Sequence, residues 1–236
     1  MGYISVAETA KKWNVSERTV RNYCAHDKIP GAFLTGKTWN IPDSAQKPVR
    51  QFAGEENRDL LTVLREEKKC GIKGGIYHKI QVDLTYNSNH IEGSRLTHEQ
   101  TCYIFETQSV DGAVFVNDVF ETANHFRCLD WVLDTISEPL SEEYVKQMHR
   151  ILKAGLMTQQ NPEVVIGDYK KYANVVGGIE TAKPGEVSAQ MAQLLQTYQN
   201  LQQPDFYEIA WFHMAFEKIH PFYDGNGRVG RLLLLK

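Results

Sequence analysis

One stretch of twelve residues constrains this 236-residue chain more than any other: HPFYDGNGRVGR, residues 220–231. Pro221 cannot continue a helix and disfavours helical backbone in the residue before it, so the preceding apolar pattern must stop at or just before His220. Residues 224–227 are types that tolerate turns and positive φ, and the leucine run at 232–235 restarts helical patterning at once. The chain must therefore build a helix, a tight turn and a second helix, with an imidazole at the end of the first. A Gly-Asn-Gly turn entering a helix aims several unpaired backbone N–H groups at one spot, where the helix dipole also favours negative charge. Arg228 and Arg231, three residues apart, share a face of the second helix, so both are expected to reach a polyphosphate held by Gly225, Asn226 and Gly227. Asp224 offers a hard carboxylate oxygen, suited to Mg²⁺ that keeps most of its waters and shares phosphate oxygens.

These residues match every fixed position of the Fic family signature, HPFx(D/E)GNGRxxR, and the AWFHMAFEKI that leads into them is typical of the helix before it. The chain resembles Fic proteins. That resemblance implies a mainly α-helical core that, with Mg²⁺, transfers AMP from ATP to a Ser, Thr or Tyr hydroxyl of a target protein or of itself. It implies His220 as general base, Phe222 as the loop's anchor in the core, and Asp224 as the Mg²⁺ ligand. Gly225, Asn226 and Gly227 would hold the α- and β-phosphates, while Arg228 and Arg231 address the β- and γ-phosphates. The residue chemistry agrees, since a neutral imidazole can take a proton from a hydroxyl as it attacks phosphorus. Metal, nest and arginines can stabilise the charge that grows on departing pyrophosphate.

SNHIEG, residues 88–93, matches the family's inhibitory motif, (S/T)xxxE(G/N). By resemblance Ser88 and Glu92 lie on an inhibitory helix over about 77–93, and Glu92 pairs with Arg231. A carboxylate there neutralises the arginine meant for a γ-phosphate and adds negative charge where nucleotide must sit, so ATP binds unproductively. The same glutamate could instead orient a water for the reverse reaction, deAMPylation. Gly177-Gly178, with β-branched neighbours over 164–182, predicts a hairpin. By resemblance it is the flap, near 170–181, on which a target segment adds as an extra strand. Family members continue well past the equivalent of Arg231, so the chain is expected to be short at its C-terminus.

Elsewhere the body reads as helices over about 55–69, 77–92, 97–108, 116–136, 141–154, 186–201 and 206–219, and we assign 55–236 to the Fic domain. Thr97 with Gln100 forms a capping box, and Ser141 is a good N-cap. Residues 1–45 differ. Ser5 and Glu8 make another capping box for a helix to about Trp13, Ser16 caps a second helix ending near His26, and two short strands meet at Gly36. The pattern resembles a small winged helix-turn-helix of the excisionase and MerR type. Arg18, Thr19, Arg21 and Asn22 would line its exposed helix, toward phosphates and base edges in a major groove. Specific binding by one such module is expected to need a homodimer. Residues 42–54, rich in polar types and holding Pro48, read as a linker, with 46–54 as its bounds.

Charge supports two modules. Residues 1–50 hold eight Lys/Arg against four acids, whereas the whole chain stands at −3, which leaves −7 for the remainder. The four cysteines, at 24, 70, 102 and 128, form no CxxC pair and are expected to be reduced thiols. Without an apolar run long enough to span a bilayer or a secretory leader, a soluble cytoplasmic protein with no membrane partner is expected. His213 is expected to be a hydrogen-bonded core histidine. Metalloprotease and P-loop readings fail because neither HExxH nor GxxxxGK(S/T) occurs. From a different class comes a DNA-binding regulator whose Fic region only senses nucleotide.

Overall fold

The computed structural model describes residues 2–48, 59–156 and 164–236. Its chain divides into two compact units, Met1–Arg58 and Asp59–Lys236.

In the first unit, Ser5 caps α1 (Val6–Trp13) in a complete capping box with Glu8, and Asn14 in the left-handed region ends it. Ser16 accepts from the Thr19 N–H to start α2 (Glu17–Ala25). Both helices present one apolar stripe. Val6, Ala10, Trp13, Val20 and Cys24 meet Ile29 and Ile41 in a small core. A three-stranded antiparallel sheet, ordered β1-β3-β2, comprises β1 (Tyr3–Ile4), β2 (Phe33–Thr35) and β3 (Thr38–Pro42). Gly36, at φ 62°, makes the β2–β3 turn, and Leu34 pairs with Trp39. The first strand is too short for a periodicity signal; it exists because Ile4 pairs with Ile41. Pro42, read from sequence as opening the linker, closes β3 instead: it is the last residue of this central strand, opposite Tyr3 and beyond the pairing with β2, so its missing N–H interrupts no ladder there. Most of the expected linker, from residue 49, lies outside the described residues.

The second unit is helical. Its elements are α3 (Leu60–Cys70), α4 (Ile76–Ile91), α5 (His98–Thr107), α6 (Val116–Asp134), α7 (Glu142–Leu152), α8 (Pro184–Gln199), α9 (Phe206–Ile219) and α10 (Asn226–Leu233). Asp59 caps α3, so that helix begins later than the expected residue 55; residues 55–58 lie outside the described ones. The core interleaves Leu129 of α6, Met148 and Leu152 of α7, Met191 of α8, Phe216 of α9 and Leu232 of α10. Helix α10 packs against α9, α7 and α4. Between α7 and α8 the expected hairpin over 164–182 shrinks to β4 (Val175–Val176) and β5 (Ile179–Glu180), joined by Gly177 and Gly178, both at positive φ. Residues 164–174 do not extend the strand, because their polar groups bond downward into the helical core, as described next.

Candidate active site

Helix α9 opens with a capping box between Asp205 and Glu208 and closes at His220, whose N–H reaches the Phe216 carbonyl at 2.9 Å. His220 takes φ 51°, the left-handed region, which a non-glycine residue enters at a cost. This conformation turns the chain at once into Pro221. The His220 ring is 15% exposed, with Nδ1 3.3 Å from the Glu217 carbonyl and 3.6 Å from the Glu217 carboxylate. Nδ1 can only donate to that carbonyl, so the proton sits on Nδ1 and Nε2 keeps its lone pair. Among the described residues Nε2 has no hydrogen-bond partner.

The loop after His220 is held from below. Phe222 is fully buried and stacks on His149 of α7, with ring centres 4.0 Å apart and planes 2° from parallel. Asn226 closes the turn, its Oδ1 accepting from the Phe222 N–H and its Nδ2 donating to the Phe222 carbonyl, both at 2.8 Å. The buried Asn226 side chain is thus spent on the loop, and its backbone N–H is the group it has for an anion. His149 Nε2 donates to the Asp224 carbonyl at 2.9 Å, and Nδ1 accepts from the Gly167 N–H. Burial pushes the His149 pKa down to about 4, so the ring stays neutral. Gly225, at φ 83°, starts α10 with no side-chain cap, so among the described residues no side chain pairs the first N–H groups of that helix.

Four charged groups form a line beside the turn. Lys153 Nζ bridges Asp224, at 2.5 Å, and Glu121, at 3.4 Å, and Glu121 in turn holds Arg228 at 2.6 Å. Burial raises the Asp224 pKa, but Lys153, Arg228 and the Gly225 N–H outweigh it and hold the carboxyl below its usual range. Arg228 is 3% exposed, pairs with Glu121 and lies 3.8 Å from Asp224. Arg231 points elsewhere. Its Nε donates to Ser88 Oγ at 2.9 Å, and its second terminal nitrogen donates to the Ser88 carbonyl at 3.0 Å and to Glu92 Oε1 at 2.6 Å. Glu92 is the C-cap of α4, and its carboxylate lies directly against Gly227, where a Cβ would overlap it.

Sequence reasoning missed Glu121, His149, Lys153 and Lys170. Each is an ordinary residue on its own element, and only packing brings it to the turn. Lys170 is 4% exposed and its Nζ donates to Asn174 and Thr181, both at 2.6 Å, and to the Ile219 carbonyl. Without a carboxylate partner, burial pushes its pKa down to about 8. With Asn174 donating to the Phe222 carbonyl, it binds the base of the β4–β5 hairpin to the loop. His213 is half-buried, and its Nδ1 has no hydrogen-bond partner, unlike the satisfied core histidine expected. In the first unit, Arg18, Arg21 and Asn22 are exposed, but Arg21 is paired with Glu17 at 2.7 Å and the Thr19 hydroxyl bonds Ser16. Thr19, Asn22, Lys28 and Lys47 line a shallow cavity of about 650 Å³.

Residues 139–236 match the Fic/DOC family. A protein adenylyltransferase Fic from Drosophila grimshawi is 26% identical over 192 residues, covering 76% of this chain and 37% of its own length. The protein of the same name from Aedes aegypti is 28% identical over 155 residues, covering 63% of this chain and 30% of its own length. The chain thus spans roughly a third of the length of these curated relatives. Among solved structures, a Fic domain containing signaling protein from Bacteroides thetaiotaomicron aligns with a TM-score of 0.59 and 26% identity, over 74% of this chain and 70% of that one. No helix among the described residues is long and apolar enough to cross a membrane.

Proposed function

We propose that this chain is an autoinhibited protein adenylyltransferase of the Fic type, with a DNA-binding amino-terminal unit. The observation that carries this reading is the capture of Arg231 and the Gly227 end of α10 by Ser88 and Glu92, beside a His220 whose Nε2 is free. In the transfer, Nε2 takes the proton of a target hydroxyl, the oxygen bonds to the α-phosphorus of ATP, and the bond from that phosphorus to pyrophosphate breaks. The N–H groups at the start of α10 hold phosphate oxygens throughout. Asp224 fits Mg²⁺: it is a half-exposed, anionic carboxylate at the mouth of the nest, and this ion prefers one or two carboxylates plus water and phosphate. When bound, Mg²⁺ would neutralise charge on the phosphate oxygens. The β4–β5 hairpin, with Val175, Val176 and Ile179 exposed, offers an edge to a target strand and is tied by Lys170 to the loop that carries His220.

Glu92 works against this chemistry. It removes the positive charge that Arg231 would give a γ-phosphate, and it places a carboxylate at the nest. Incubated with radiolabelled ATP and Mg²⁺, Glu92→Gly should label itself an order of magnitude more than the parent, and Glu92→Gly with His220→Ala should not label at all. Equal labelling in all three proteins would overturn the assignment. For the amino-terminal unit, the surplus of positive charge and the exposed Arg18 and Asn22 on α2 support contact with DNA. Binding measured by fluorescence anisotropy should weaken linearly in log[salt] and weaken further in Arg18→Ala; salt-independent binding would exclude it.

A further inference from the structure

We infer that His78, Cys102 and Glu106 form a binding site for a divalent transition metal of the zinc class. They lie on α4 and α5, apart from the signature loop, and one donor atom from each falls within 4.8 Å of the other two. His78 Nε2 is 3.0 Å and Cys102 Sγ is 3.9 Å from the same oxygen, Glu106 Oε1. Around a tetrahedral zinc with bonds of about 2.0–2.3 Å, ligand atoms stand roughly 3.3–3.6 Å apart, so the two separations from Glu106 Oε1 each need change by only a fraction of an ångström. Cys102 and Glu106 are four residues apart and project from one face of α5, while the third ligand comes from the helix beside it.

The donor set decides the metal. Thiolate and imidazole select zinc-class ions over Mg²⁺ or Ca²⁺, which want oxygen alone. The His78 ring is 12% exposed and lies edge-on to Phe105, with centres 5.3 Å apart, which restrains its rotation. Lys73 pairs with the other carboxylate oxygen, Glu106 Oε2, at 3.3 Å and leaves Oε1 to the metal. A cavity of about 370 Å³ lined by Lys73, His78, Phe105 and Glu106 opens beside the cluster, with room for water as the fourth ligand. Burial and the Glu106 charge keep the Cys102 thiol protonated without metal. On binding, the S–H bond breaks, the sulfur pair goes to the metal and the proton leaves to solvent. Since α4 also carries Ser88, the ion would brace the helix that reaches Arg231.

The test uses the full chain, stripped with a chelator under reducing conditions and titrated with Co²⁺. One equivalent should produce a thiolate-to-cobalt charge-transfer band that Zn²⁺ then bleaches. Cys102→Ser should lose the band, His78→Ala should weaken Co²⁺ binding at least tenfold, and Cys70→Ser should leave both unchanged. Absence of the band in the parent chain, or its survival in Cys102→Ser, would overturn the site. The readout does not involve nucleotide or AMP transfer, so it stands apart from the outcome for His220 and Glu92.

Discussion

At the residue scale, the loop is shaped more by what lies under it than by its own composition. Asn226 saturates the N–H and C=O of Phe222, and both groups are buried with it. Asn226→Ala would strip the buried Phe222 N–H of its partner and leave the Phe222 carbonyl to Asn174 alone, at about 1–3 kcal/mol. Urea denaturation should show the midpoint falling with the slope unchanged, and a midpoint within error of the parent would reject this account of the loop. Gly225 is a second fixed point. At φ 83°, with Lys153 3.3 Å from where a Cβ would stand, Gly225→Ala meets both backbone strain and a close neighbour. The signature therefore contains two residues, Asn226 and Gly225, whose first duty is to make the turn, and their spacing alone does not distinguish that from phosphate contact.

At the element scale, α10 is wedged between two acidic contacts from residues 107 and 139 positions earlier in the chain. Glu121 of α6 holds Arg228, and Glu92 at the end of α4 holds Arg231. The two differ in burial and so in consequence. Arg228 is 3% exposed and Lys153 6%, so Glu121→Ala leaves buried cations short of counter-charge. It should destabilise the protein by about 3–5 kcal/mol, visible as a lower thermal midpoint. Side chains in the Glu92–Arg231 pair are about a fifth to a quarter exposed, and Glu92→Gly should shift the midpoint by only about 1 kcal/mol or less while changing nucleotide binding. A large loss of stability in Glu92→Gly would mean that the pair is architectural rather than a brake. The hairpin offers a third case. Lys170→Met removes three hydrogen bonds at its base, so amide exchange in β4 and β5 should speed up while that in α9 stays slow.

At the scale of the whole molecule, buried histidines set the response to acid. Burial, with Arg228 and Arg231 nearby, depresses the His125 pKa to about 3, and burial depresses that of His149 to about 4. Unfolded histidine titrates near ~6.5. Above that value both states are neutral and nothing is lost. As pH falls below it, the unfolded chain gains two protons that the folded chain refuses, so stability should drop by about 4 kcal/mol between pH 7 and 5. Chemical denaturation across that range checks the sign, and His149→Gln should roughly halve the slope. Helix positions were legible in advance because apolar periodicity and caps are local: Ser5, Ser16, Thr97 and Ser141 each announce a helix within four residues. So was the turn from His220 to α10, because proline and glycine restrict backbone wherever they stand. The short β1, the contraction of the hairpin and the pairing of Arg228 with Glu121 were not legible. Each is settled by a partner dozens of residues away, and a buried charge takes whichever counter-charge packing delivers, not the one its spacing suggests.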